Sequence, residues 1–270
     1  LDPKNIEVAI SKKTKAIVPV SLYGQPANFK EINFIANKYN IPVIEDAAQS
    51  FGSTHNKKRS CALSTIGVTS FFPSKPLGCY GDGGACFTND DLLAKSIRQI
   101  SLHGQEKRYC HHKIGLNGRL DTIQAAILLS KLDIFEKEVA LRENIGRRYT
   151  EKLNLRNFKN TPFVESFNTS VYAQYTIQVE SKDKIIDFLR KEDIPTAIHY
   201  PTLLPDQVAL NNKQGFLQKI FRKRMYKSKK LLNARNVVKK VFSLPMHPLL
   251  KEKDQDFIID SFLNALKTYP

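Results

Sequence analysis

The stretch Thr69-Ser-Phe-Phe-Pro-Ser-Lys-Pro-Leu-Gly-Cys-Tyr-Gly-Asp-Gly-Gly84 constrains the rest of the chain more than any other. Ile66 to Phe72 reads as a short buried strand. It breaks at Pro73, presents a single lysine, Lys75, and enters a turn carrying Gly78, Gly81, Gly83 and Gly84. Pro73 and Pro76 restrict the backbone on either side of Lys75, and the glycines that follow leave room beside its amine for something flat and bulky. A lysine held in this way can be desolvated and its amine made a nucleophile toward a carbonyl. The plain alternative is a solvated loop lysine, because lysine is seldom buried.

The neighbouring run Pro42-Val-Ile-Glu-Asp-Ala-Ala-Gln-Ser50 bears on that choice. Ile41 to Ile44 reads as a short buried strand with the acids Glu45 and Asp46 at its carboxyl end, which is where open α/β sheets bind their ligands. On local features a carboxylate there caps the next segment. One strand away from a nucleophilic lysine it has a sharper use. An Asp can keep the pyridine nitrogen of pyridoxal phosphate protonated, so that the ring acts as an electron sink.

Three runs, taken in order, carry a resemblance: Glu-Asp-Ala-Ala-Gln-Ser at 45 to 50, Thr-Ser-Phe-Phe-Pro-Ser-Lys-Pro-Leu-Gly at 69 to 78, and Gly-Leu-Asn-Gly-Arg-Leu-Asp-Thr-Ile-Gln-Ala-Ala at 115 to 126. Together they resemble the DegT/DnrJ/EryC1/StrS sugar aminotransferases, and the likeness runs the length of the chain. It implies an α/β fold of type I, the aspartate aminotransferase-like architecture of pyridoxal 5'-phosphate enzymes. A mostly parallel sheet would form a large domain over 1–150, followed by a smaller C-terminal α/β domain over 151–270. Val-Tyr-Ala-Gln-Tyr-Thr (171 to 176) and Ser-Leu-Pro-Met-His-Pro (243 to 248) look like the members that aminate C3 of a UDP-linked 2-acetamido-2-deoxy-3-oxo-glucuronic acid. The chain opens Leu1-Asp-Pro-Lys-Asn-Ile, without the family's Ser-Gly-Thr type phosphate loop or the aromatic residue that stacks on the ring. The large domain is therefore expected to be N-terminally incomplete.

The resemblance implies roles residue by residue. Lys75 would bind the cofactor covalently and shuttle the proton between Cα and C4′. Asp46 would pair with the pyridinium nitrogen, Gln49 would contact the ring hydroxyl, and Ser70 would donate to the phosphate. Asn117 would reach the phosphate of a neighbouring subunit and Arg119 the substrate there, its guanidinium fork suiting a sugar carboxylate. His103, His199 and Tyr200 would be substrate contacts, with His247 a weaker candidate. The plain readings stand beside these: a strand serine bonded to its own backbone, a solvated turn, and structural histidines. The partners implied are L-glutamate, a UDP-linked keto sugar and a second copy in a homodimer with a shared active site. The reaction would be a ping-pong transamination serving a surface polysaccharide precursor. A dehydratase branch replaces the lysine with histidine, so Lys75 argues against it. The alternatives are amination at C4 of another UDP-keto-sugar and a non-catalytic homologue.

Composition excludes other classes. The 270 residues suffice for one large or two modest domains, and 41% hydrophobic with 25% charged residues is ordinary for a globular protein. No apolar run reaches spanning length and the first residues lack a signal-peptide pattern, so neither membrane nor export is expected. Cys61, Cys79, Cys86 and Cys110 show no paired spacing, which makes a reducing cytoplasm the default. Cys110-His-His112 lacks a second ligand pair and fails as a metal site. The net charge of +16 would suit a nucleic-acid binder, but its lysines are scattered and no recognition module appears.

In chain order the spacing predicts a strand at 16–20, a helix at 29–39, strands at 41–45, 66–72 and 85–88, and a helix from Asn89 to about Ile100. Asp121 is expected to cap a helix that is apolar almost all round and deeply buried, and an amphipathic stretch at 133–153 would leave the large domain. The smaller domain is expected to hold strands at 171–179, 196–200 and 240–244, with helices at 183–191, about 217–232, and 254–267.

Overall fold

A computed structural model describes residues 1–211 and 231–270. Within them the chain forms two compact units, residues 1–146, 163–173 and 247–249 in the first, and residues 147–162, 174–246 and 250–270 in the second.

The first unit is built on a parallel strand–helix–strand start. Residues 16–20 bridge to the following strand only at Ile17↔Val43 and Val20↔Asp46, so the expected first strand is reduced to two parallel bridges. Helix α1, Phe29–Lys38, begins where the Asn28 side chain accepts from the Glu31 amide. It buries Phe29, Ile32 and Ala36, the apolar face that the spacing predicts. Strand β1, Ile44–Asp46, pairs in parallel with β2, Ile66–Ser70, which pairs antiparallel with β3, Gly84–Phe87. The core beneath gathers Ile6, Ile17, Phe29, Ile32, Ala36, Val43 and Leu63.

Helix α2, Asp91–Ser101, is capped as its sequence indicates, with Asp90 accepting from the amides of Leu92 and Leu93. Residues 103–118 contain a small hairpin, Gln105–Lys107 against Cys110–His111. Helix α3 then runs unbroken from Thr122 to Leu155. Two expectations are corrected here. The stretches at 122–132 and 133–153 form one helix, since no proline interrupts them. Its first turns are also not deeply buried: only a stripe including Leu128 and Phe135 packs against Phe71, Leu77 and Cys79, while Ile123 and Leu129 are 73% and 67% exposed.

The second unit pairs β4, Tyr175–Gln178, antiparallel with β5, Val241–Leu244, in the register Tyr175↔Leu244 to Gln178↔Val241. Helices α4 (Lys182–Lys191), α5 (Leu232–Lys240) and α6 (Glu252–Thr268) accompany that ribbon. Tyr149 stacks on Tyr175 with centroids 4.7 Å apart, and Phe242, Ile259 and Phe262 complete a fully buried group. The strand expected over 171–179 starts only at Tyr175, because Tyr172 takes a positive φ and the Val171 amide donates instead to Gly24 in the first unit's own loop. The strand expected at 196–200 is a single bridge, Ala197↔Ser243. The helix expected at about 217–232 lies, as far as residue 230, outside the described residues.

Candidate active site

The carboxyl ends of β1 and β2 assemble the first group of side chains. Along β2, residues alternate between half-buried (Ile66, Val68, Ser70) and buried (Gly67, Thr69), and β1 follows the same alternation with Asp46 half-buried and Glu45 buried. Asp46 pairs with Val68, so Asp46, Val68 and Ser70 share the half-open face of the sheet. One strand across and two residues along puts Asp46 and Ser70 about 8 Å apart at their Cα atoms. Asp46 Oδ1 accepts from the Ala48 amide at 3.0 Å, which opens the turn after β1. Its backbone is held by Pro19 and Ser21 on one side and, through Ala47, by Val68 on the other.

That turn carries Gln49, which is 4% exposed. Gln49 Oε1 accepts from the Tyr23 amide at 2.6 Å, which fixes the orientation of the side-chain amide. Ser70 Oγ accepts from the Phe72 amide at 3.2 Å; the plain reading of this serine is therefore real, and its hydroxyl proton is a further donor.

Lys75 sits half-buried in a closed loop. The Phe71 amide donates to Gly83 O, the Lys75 amide to Phe72 O at 2.9 Å, and the Cys79 amide back to Phe71 O at 2.8 Å. Leu77 and Cys79 anchor the loop in the core. From α3, Lys131 Nζ donates to Gly78 O at 2.6 Å and Gln124 Oε1 accepts from the Tyr80 amide at 2.8 Å. Nothing in local spacing announces Lys131 or Gln124, which lie about fifty residues away in sequence.

A second group lies where residues 116–118 run back along the end of α2. The Leu116 amide donates to Ile100 O, that of Gly118 to Ser101 O, and that of His103 to Leu116 O. This brings His103, Asn117 and Arg119 onto one exposed ledge, with Arg119 Nε donating to Asn117 Oδ1 at 2.9 Å. The same loop holds Cys110 Sγ at 3.2 Å from His112 Nε2, itself 3.3 Å from Glu106. Among the described residues no group of three or more His, Cys, Asp or Glu converges as a metal ion requires.

His199 and Tyr200 belong to the second unit. His199 Nδ1 lies 3.2 Å from Ser243 Oγ, which also bonds Thr176, and the His199 ring meets Tyr200 edge-on. Tyr200 is 53% exposed. His247 falls in the first unit, exposed.

Glu45 is the residue whose part local reading missed. It is fully buried, with Oε1 accepting from Ser60 Oγ at 2.8 Å and Oε2 from the Leu63 amide at 3.3 Å. Burial pushes its carboxyl upward, while the Cys61 amide, Ser60 and the Leu63 amide pull it back. A charged residue inside an apolar strand run was the available signal.

An acid and a hydroxyl on one sheet face, an amide of fixed orientation and a half-buried lysine form a donor set that suits a flat pyridine bearing a carbonyl and an anionic arm. Comparison with known proteins points the same way. The DegT/DnrJ/EryC1/StrS aminotransferase family profile matches residues 1–263. A UDP-2-acetamido-2-deoxy-3-oxo-D-glucuronate aminotransferase of Pseudomonas aeruginosa is 53% identical over 250 residues, covering 93% of this chain and 66% of that protein. A DegT DnrJ EryC1 StrS aminotransferase from Brucella abortus superimposes with a TM-score of 0.85 at 38% identity, over 98% of this chain and 69% of that one. The ntda protein of Bacillus subtilis, solved with bound cofactor PMP, gives a TM-score of 0.85 at 29% identity over 99% and 60%. The chain thus spans about two thirds of the length of these relatives or slightly less.

Proposed function

Because the chain belongs to the DegT/DnrJ/EryC1/StrS aminotransferase family and has the type I fold of its pyridoxal-phosphate enzymes, we propose that it moves the amino group of L-glutamate to a nucleotide-linked keto sugar. The observation that carries this is the shared sheet face of Asp46 and Ser70, with the Lys75 loop leaving β2 directly beyond it. The cofactor part is assigned to residues 1–150 and the smaller domain to 151–270.

Asp46 and Gln49 would hold the ring, Ser70 the phosphate, and Lys75 the carbonyl carbon. When bound, pyridoxal phosphate supplies the electron sink that allows an amino acid to lose its Cα proton. Asp46 would keep a proton on the ring nitrogen, since a carboxylate beside a pyridine favours the charged form. The Gln49 amide, its oxygen held by Tyr23, would offer its NH2 to the ring hydroxyl. Once the donor's amine has displaced it from the carbonyl carbon, Lys75 Nζ would be free to take the proton from the donor's Cα and deliver it to that carbon; in the second half-reaction it would run the same transfer in reverse.

For the substrate we take UDP-2-acetamido-2-deoxy-3-oxo-hexuronic acid, on the 53% identity to the Pseudomonas protein. Arg119, with His103, His199 and Tyr200, would read the sugar and its carboxylate. Asn117 and Arg119 lie exposed on their ledge, close in sequence to Ile114 (99% exposed), Leu116 and Ile123. That apolar exposure supports a homodimer in which the ledge completes the partner's site. The test is formation of 2-oxoglutarate from glutamate and a panel of 3-keto and 4-keto UDP-sugars. Turnover with the 3-keto uronic acid alone is the expected result; turnover only with 4-keto sugars would reassign the substrate. Mixing the inactive Lys75→Ala and Arg119→Ala variants should restore about a quarter of the activity if sites are shared, and none if each copy works alone.

A further inference from the structure

Asp46 and Gln49 are bracketed by two buried side chains that the chemistry above does not use. Glu45 precedes Asp46 and Ser50 follows Gln49, and both turn to the same residue, Ser60. Ser60 Oγ donates to Glu45 Oε1 at 2.8 Å and lies 2.6 Å from Ser50 Oγ. With its own proton committed to the carboxylate, Ser60 accepts from Ser50, so the three groups form a directed chain Ser50 to Ser60 to Glu45. All three residues are buried, at 0%, 5% and 0% exposure.

The network is anchored beyond these three. Glu45 Oε2 accepts from the Leu63 amide, and the Glu45 amide donates to Ser64 Oγ at 3.1 Å. The 60–64 turn is pressed onto β2 at Gly67, where a Cβ would stand 2.3 Å from Cys61 O; only glycine permits that approach. The turn is thus fixed to the neighbouring strand, and the segment from Glu45 to Ser50 is fixed to the turn at both of its ends. The groups that titrate around Glu45 are Asp46 on its own strand and Cys61 on the turn, with Cys86 of β3 near Cys61.

We propose that the buried Glu45–Ser60–Ser50 chain is a positioning clamp, which sets where Asp46 and Gln49 stand toward the pyridine ring. Buried polar groups that satisfy one another hold a single arrangement, and cutting one member frees the rest. The assignment of Asp46 and Gln49 to a ring rests on the proposed function; the clamp itself is a property of the chain and is testable without cofactor.

Two amides report directly on the clamped side chains. The Ala48 amide donates to Asp46 Oδ1, and the Tyr23 amide to Gln49 Oε1. Hydrogen exchange of the cofactor-free protein should show both speeding up about tenfold or more in Ser60→Ala, while the Ile32 amide, inside α1, keeps its wild-type rate. Glu45→Gln, which keeps the shape and loses the charge, should do the same, and it decides the matter if Ser60→Ala does not fold. If the Ala48 and Tyr23 amides change only in step with Ile32, the chain contributes general stability and the clamp is wrong. A second arm adds pyridoxal phosphate labelled with 15N at the ring. In Ser60→Ala the ring-nitrogen signal should move toward the unprotonated form. A wild-type protein that takes up no cofactor would sink the proposed function and leave the exchange result standing.

Discussion

At the scale of single residues, the four cysteines divide by environment. Cys61 and Cys79 are buried, Cys86 and Cys110 exposed. Burial pushes the Cys61 thiol up to about 12, with the nearby acids Glu45 and Asp46 adding to the effect. Since the thiolate is the reactive form, a thiol reagent should label two cysteines quickly in the folded protein and four only in denaturant. Fast labelling of Cys61 would show that the 60–64 turn opens readily, against the clamp. The candidate residues themselves were legible unevenly. Lys75 and Asp46 stand out in sequence, one between prolines and the other at a strand's end. Ser70 accepts from the Phe72 amide just past its strand, as its plain reading has it, and its hydroxyl proton is a further donor. Ser60 was not legible, and Glu45 only as a charge in an apolar run, because what matters about them is a partner fifteen residues away.

Among the elements, helix boundaries followed the caps that the sequence spells out. Asp90 and Asn28 bond the amides of the turns they open, and α1 and α2 start within a residue or two of their predicted positions. Strands were less legible: 16–20 and 196–200 are reduced to isolated bridges, since pairing depends on a neighbour that local pattern does not contain. The first turns of α3 show a related limit. An all-apolar run predicts burial, yet it says nothing about what does the burying, and several of its side chains face outward in this chain. Gly146, in the same helix, tests the packing. Gly146→Ala should gain up to about 1 kcal/mol in helix propensity. Against that, the new Cβ would stand 2.6 Å from the ring of Tyr172, a buried residue, and overpacking of that kind costs about 1–3 kcal/mol. The clash outweighs the propensity, so the urea midpoint should fall; a rise would mean that the 170–173 segment yields.

For the whole molecule, the type I fold was readable because three motifs in order imply it, and the matched structures bear that out at TM-scores of 0.85. The net charge of +16 proved uninformative about fold. The proposed chemistry requires above all that Lys75 take the cofactor. The direct measurement is a visible absorption spectrum of the purified chain titrated with pyridoxal phosphate, beside Lys75→Ala. The expected result is a band in the wild type that glutamate bleaches and that the variant never forms. A wild type without the band, or a variant that keeps it unchanged, would contradict the account.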